Sequence, residues 1–192
     1  MLDIEFACPD RIRTRRRSRL AIRKRKTLIG LSSVSLKINA KYYYMSILKS
    51  LQRLEELVLI IPPLLSEIPE KEFNHKPQPH KWSKKQILGH LIDSAANNHQ
   101  RFVRIQCEKE PVIFYDQDKW NLLNHHQDLD RKHLVEFWTV YNKHLLQLAA
   151  GIANENLELQ GIGKDGQPKT LGWYIEDYVV HMEHHLRQMV QY

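Results

Sequence analysis

The stretch SKKQILGHLIDSAANNHQRFVRI, residues 83–105, decides the class of fold. Ser83, followed three positions on by Gln86, has the spacing of a capping box, in which the hydroxyl accepts from the Gln86 N–H and the amide reaches back. Beyond it Ile87, Leu88, Leu91, Ile92, Ala95, Phe102 and Ile105 recur at helical spacing, and no proline interrupts them before Pro111. The pattern predicts a long amphipathic helix ending near Glu110.

Three more segments carry the same period. Ile47, Leu51, Leu54, Val58 and Ile61 form one apolar face, and Pro62-Pro63 is expected to end that helix. Leu134, Phe137, Trp138, Tyr141, Leu145 and Leu148 follow a cap at Asp128 or Asp130 and stop at Gly151. Leu171, Tyr174, Ile175, Tyr178, Met182 and Met189 follow a cap at Thr170. Between the first two, Ser66 to Lys81 contains Pro69, Pro77 and Pro79 and reads as a long crossover. Pro111 to Asp128 mixes aromatics with acids and reads as an ordered loop, and strand pattern is confined to a hairpin between Leu157 and Thr170. The predicted fold is all-α, a four-helix bundle over residues 45–192 with a long crossover after the first helix.

A chain of 192 residues suits one domain with a core of ordinary proportions, and 7 Gly and 8 Pro exclude collagen-like or low-complexity character. Its two cysteines, Cys8 and Cys107, form neither a CxxC pair nor a disulfide framework, which points to a reducing, cytoplasmic setting; Cys107 is expected to be a buried small hydrophobe. The apolar run from Leu28 to Ile38 is far short of the ~20 residues that cross a bilayer, so no membrane partner is expected.

The net charge of +7 is not spread evenly. Residues 1–44 hold 12 Lys+Arg against Asp3, Glu5 and Asp10, a net of +9, whereas residues 45–192 hold 17 against 19, a net of −2. The run from Arg11 to Lys26 repels itself and cannot bury a core, which makes residues 1–44 a basic, disordered arm or an extension that precedes the true start. An arm of this kind binds nucleic acid or anionic lipid, and an Arg- and Ser-rich transit peptide is a further reading, opposed by Asp3 and Glu5. Translation from Met45, which opens directly into the first helical pattern, accounts best for the break in composition.

All 11 histidines follow position 74. In His181-Met182-Glu183-His184-His185, residues 181 and 185 lie one helical turn apart on one face, so their imidazoles can converge on one cation; a glutamate directly after the first histidine, as in the metalloprotease HExxH, is missing. His90, on the inward face of the second helix, is the best-placed third ligand. Asn97 and Arg101 continue the His90 stripe and are candidates for holding an anionic or amide-bearing substrate, with Asp93 a candidate acceptor for an imidazole N–H. Solvated polar residues would give the same stripe. His75, His80, His99, His125, His126, His133 and His144 are expected on the surface or in loops.

The runs Lys81 to Ala95, Asn98 to Phe102 and Asp177 to Leu186, in that order, resemble the DinB-like superfamily, in particular its YfiT-type metal-dependent hydrolases and thiol S-transferases. The resemblance spans about residues 45–192. It implies a four-helix bundle, often a homodimer, with a divalent metal on three histidines, which fall on His90, His181 and His185. Zinc or nickel is the cation so implied, together with a small-molecule substrate and, in the transferase branch, a low-molecular-weight thiol cosubstrate. A metal-dependent hydrolase or thiol transferase is therefore the leading expectation; a non-catalytic metal-binding stress-response or interaction protein is the alternative.

Overall fold

A computed structural model describes the backbone from Ile29 and the side chains from Tyr43 to Tyr192. The Arg-rich run of the expected N-terminal arm, residues 11–26, lies outside the described residues, as does Cys8. The described core belongs to the unit Tyr43–Tyr192.

Four long helices carry the fold: α1 (Ile29–Glu67), α3 (Lys84–Cys107), α5 (Arg131–Ala150) and α6 (Leu171–Leu186), with short helices α2 (Glu70–Asn74) and α4 (Gln117–Leu123) in the connections. A small antiparallel hairpin, β1 (Gln160–Ile162) and β2 (Pro168–Thr170), leads into α6. α3 is the central element, packed against α5 and α6 along its length. Its capping box forms, with the Gln86 N–H donating to Ser83 Oγ at 3.1 Å and the Ser83 N–H to Gln86 Oε1 at 3.3 Å. Asp130 and Thr170 cap α5 and α6 in the same way, each accepting from the backbone three residues on. Leu54, Leu57, Ile61, Leu88, Leu91, Trp138, Leu145, Ile175, Tyr178 and Met182 meet in one continuous core.

Several expectations give way. Pro62 and Pro63 lie inside α1 and do not end it. Each proline in a helix interior costs roughly 3 kcal/mol, but Ile61, Leu65 and Ile68 are buried around them at about 1.5–3 kcal/mol apiece. Leu59 and Pro63 are exposed, so one carbonyl that loses its donor faces water, and Ser66 Oγ donates to Pro62 O at 2.9 Å. The crossover consequently starts two residues later, at Ile68, and contains α2, whose Phe73 is buried in the core. The expected loop 111–128 contains α4, capped by Asp116 accepting from the Lys119 N–H at 3.1 Å, and a 3-10 turn at His126–Asp128. Ile113 and Ile162 tie its start to the hairpin, the Ile113 N–H donating to Ile162 O at 2.9 Å.

Two side chains fall on the opposite side from that expected. Phe137 is 46% exposed, stacking between His133 and Tyr141, because the inward stripe of α5 is filled by Leu134, Trp138 and Leu145. Cys107 is exposed at the last turn of α3, where the core face is taken by Ile105. Among the described residues no helix is long and apolar enough to cross a membrane.

Candidate metal centre

His90 sits two turns into α3 on the side facing α6, and His181 and His185 sit one turn apart on the facing stripe of α6. Their ligand nitrogens all lie within 4.8 Å of one another, and His90 Nε2 is 3.2 Å from His181 Nε2. Tetrahedral Zn–N bonds of about 2.0–2.1 Å place two nitrogens roughly 3.3 Å apart, so this pair is already at ligand spacing. No other group of three His, Cys, Asp or Glu side chains among the described residues has such an arrangement.

Two of the three rings have a contact at Nδ1. Tyr115 Oη is 3.3 Å from His90 Nδ1, and Gln188 Oε1 is 3.4 Å from His185 Nδ1. A proton on each Nδ1 satisfies both contacts and leaves the Nε2 lone pairs free, the tautomer a cation needs. Trp82 packs against the His90 ring at 5.0 Å between centroids and on its other side lines a cleft of about 490 Å³ with Lys81, Lys84, Asp118 and Gln188; none of the three histidines lines that cleft.

The electrostatics favour neutral imidazoles. Burial, and then the neighbouring histidines, push the His90 pKa down to about 3, and burial and His185 push that of His181 to about 4. His185 is lowered too, chiefly by burial. No carboxylate contacts the three rings through a hydrogen bond or ion pair among the described residues, so no described carboxylate compensates a proton there. The donor set suits a divalent cation: three neutral nitrogens, buried or half-buried, already converging.

The other candidate residues are placed differently. Asp93, one turn beyond His90, does receive an imidazole N–H, but from His126: both carboxylate oxygens lie 3.1 Å from His126 Nε2, and Asn124 Nδ2 donates to Oδ1 at 2.7 Å. Both partners of that pair are buried, so His126 is not the surface or loop residue expected. Gly89 makes room for it, since a Cβ at Gly89 would come 2.2 Å from His126 Cγ. A glycine inside the strongest helical pattern of the chain was the available signal. Asn97 is buried with its amide donating to Asp93 O of its own helix at 3.3 Å. Arg101 is half-buried over the Tyr174 ring, 4.6 Å from its centroid, and lies near enough to His181 and Tyr115 to act on both electrostatically. Tyr115 was not singled out by the sequence: it lies on a connection without periodicity, and its position depends on the hairpin that anchors residues 111–113.

Comparison with known proteins agrees with this arrangement. The DinB superfamily model matches residues 53–189. No curated protein sequence matches significantly. Among solved structures, YfiT from Bacillus subtilis, described as a probable metal-dependent hydrolase with an unusual four-helix bundle topology, superposes with a TM-score of 0.60 at 16% identity, over 88% of this chain and 89% of that one. At that identity the likeness concerns the fold. The matched segment contains α3, α6 and all three converging histidines, and by it the chain belongs to the DinB superfamily.

Proposed function

We propose that this protein is a metal-dependent hydrolase in which His90, His181 and His185 hold one divalent cation, zinc by preference. The observation that carries the reading is the convergence of three imidazoles, with Tyr115 and Gln188 beside the Nδ1 atoms of His90 and His185, contacts that an Nδ1–H tautomer satisfies. Three protein ligands leave a tetrahedral ion one open position, whereas a purely structural site is closed by four. Three imidazoles with one position left open match the donor sets of zinc catalytic sites, so zinc is the first cation to offer and nickel the second. When bound, the cation supplies a Lewis acid and lowers the pKa of a small nucleophile, water in hydrolysis or a thiol in the transferase branch of the superfamily.

The chain's own residues provide the rest. Tyr115 accepts the His90 Nδ1–H and fixes the ring plane, and Trp82 shields that ring from water.

The test is the metal content of untagged protein purified without added metal, beside His90→Ala and His181→Ala. Near-stoichiometric metal in the wild type, lost in both variants, is the expected result. Folded wild type that takes up no zinc, nickel or cobalt, or variants that keep the metal, would overturn the reading and leave a metal-free interaction protein in its place.

A further inference from the structure

We infer that Arg101 forms a binding site for a carboxylate, borne by the substrate or by a thiol cosubstrate, alongside the three-histidine centre. A guanidinium carries five N–H donors and cannot shed its charge within a protein. In this fold Nη1 donates to Asn98 Oδ1 and Nη2 to Ile113 O, each at 3.2 Å, while Nε is buried without a partner. Neither acceptor is charged, and no carboxylate among the described residues lies within ion-pair distance of Arg101. A half-buried cation without a counter-ion is costly, and the fold nevertheless fixes it firmly: the Tyr174 ring lies beneath its plane, and Asn98 and Ile113 O hold its two ends.

The placement ties this cation to the histidines. Positions 90 and 101 are eleven residues apart, about 20° from alignment on α3, and positions 174 and 181 are seven apart on α6, so both helices present Arg101 and the metal candidates on one stripe. Tyr174 and His181 are separated by two turns, roughly 10 Å along the axis. A ligand bridging them carries its charge at one end and its reacting group at the other. One cation matches one negative charge, which favours a carboxylate over a phosphate of charge approaching −2. Asp177 on α6 interacts with Arg101 electrostatically without pairing with it, and its carboxylate competes for the same charge.

Assigning the carboxylate to a substrate rests on the metal-dependent reading; the anion site itself does not. The experiment therefore uses metal-free full-length protein, with propionate as the probe, read by titration of the Arg101 Nε–H and Tyr174 ring signals in NMR. Saturable shifts are expected in the wild type and in His181→Ala, with affinity at least tenfold weaker in Arg101→Gln. Asp177→Asn, which leaves the core untouched, should bind at least twofold more tightly. Inorganic phosphate at equal concentration should bind more weakly than propionate. Propionate affinity within twofold of wild type in a folded Arg101→Gln, or binding that appears only after metal is added, overturns the proposal. If Arg101→Gln does not fold, an unchanged affinity in Asp177→Asn does so. Loss of metal binding with propionate binding intact would instead remove the metal reading alone. With both sites present, wild type and Arg101→Gln loaded with zinc are compared on carboxylated substrates and carboxylated thiols, and the class whose KM rises carries the anion.

Discussion

His90 and Asp93 lie one turn apart on α3, yet the imidazoles they meet have opposite fates. On one side, His90 faces two further histidines, its outward nitrogen contacts a phenol, and no carboxylate is at hand to welcome a proton. On the other, His126 lies against both oxygens of Asp93, its ring position fixed and its Nε2 already engaged. Both histidines are almost fully buried. Burial therefore does not distinguish a ligand from a structural residue; what the ring nitrogens are already bonded to does. The first cluster holds lone pairs in reserve for a cation, and the second uses a carboxylate to fasten the 3-10 turn after α4 to the middle of α3.

The largest effect expected from this contrast is on metal. His90→Ala should lower zinc affinity at least a thousandfold, about 4 kcal/mol, because two ligands remain of three; competition titration with a chromophoric chelator measures it, and a loss under tenfold would place the metal elsewhere. Asp93→Ala acts on the other cluster. It strands a buried imidazole and should reduce unfolding stability by about 3 kcal/mol in urea titration, with metal stoichiometry unchanged. Were the metal lost while the fold survived, the two clusters would not be separate devices.

Tyr115→Phe sharpens the comparison at the boundary between them. Removing the acceptor of the His90 Nδ1–H should weaken metal binding about tenfold or somewhat more with little change in stability; an unchanged affinity would mean that packing alone orients His90. The last test is the effect of pH on the metal-free protein. His90 has its folded pKa, about 3, below the ordinary value of 6.5, so the unfolded chain binds more protons between those limits and stability falls as pH drops through them. From pH 7.5 to 5.5 the loss is about 1 kcal/mol from His90, or roughly 2–4 °C in Tm, and about as much again from His181, whose folded pKa of about 4 also lies below that window. Calorimetry showing no such decline would indicate an unseen partner for the imidazoles.

How far the sequence reveals each cluster follows from how local it is. The pair His181 and His185 is set by one helical repeat, and the capping signals at Ser83, Asp130 and Thr170 involve neighbours three residues apart; all are visible along the chain because the interactions close within one turn. The Asp93–His126 pair spans 33 positions and an expected loop, so only Gly89 hints at it. Pro62 and Pro63 mislead for a related reason: the local cost is real, and burial of Ile61, Leu65 and Ile68, a tertiary matter, exceeds it.

The sequence by itself determined that four amphipathic helices form, the caps of three of them and the inward stripe on which His90, His181 and His185 lie, since helical periodicity fixes which residues share a face; both ends of α1, which runs Ile29–Glu67, were not among them. Only the tertiary structure decided that α3 and α6 bring those stripes to ligand distance, that Tyr115 and Gln188 stand behind the rings, that Asp93 serves His126, and that Arg101 keeps donors free. Those outcomes depend on how helices and connections distant in the chain are packed, and the free energy of that packing is not written in the spacing of any one segment.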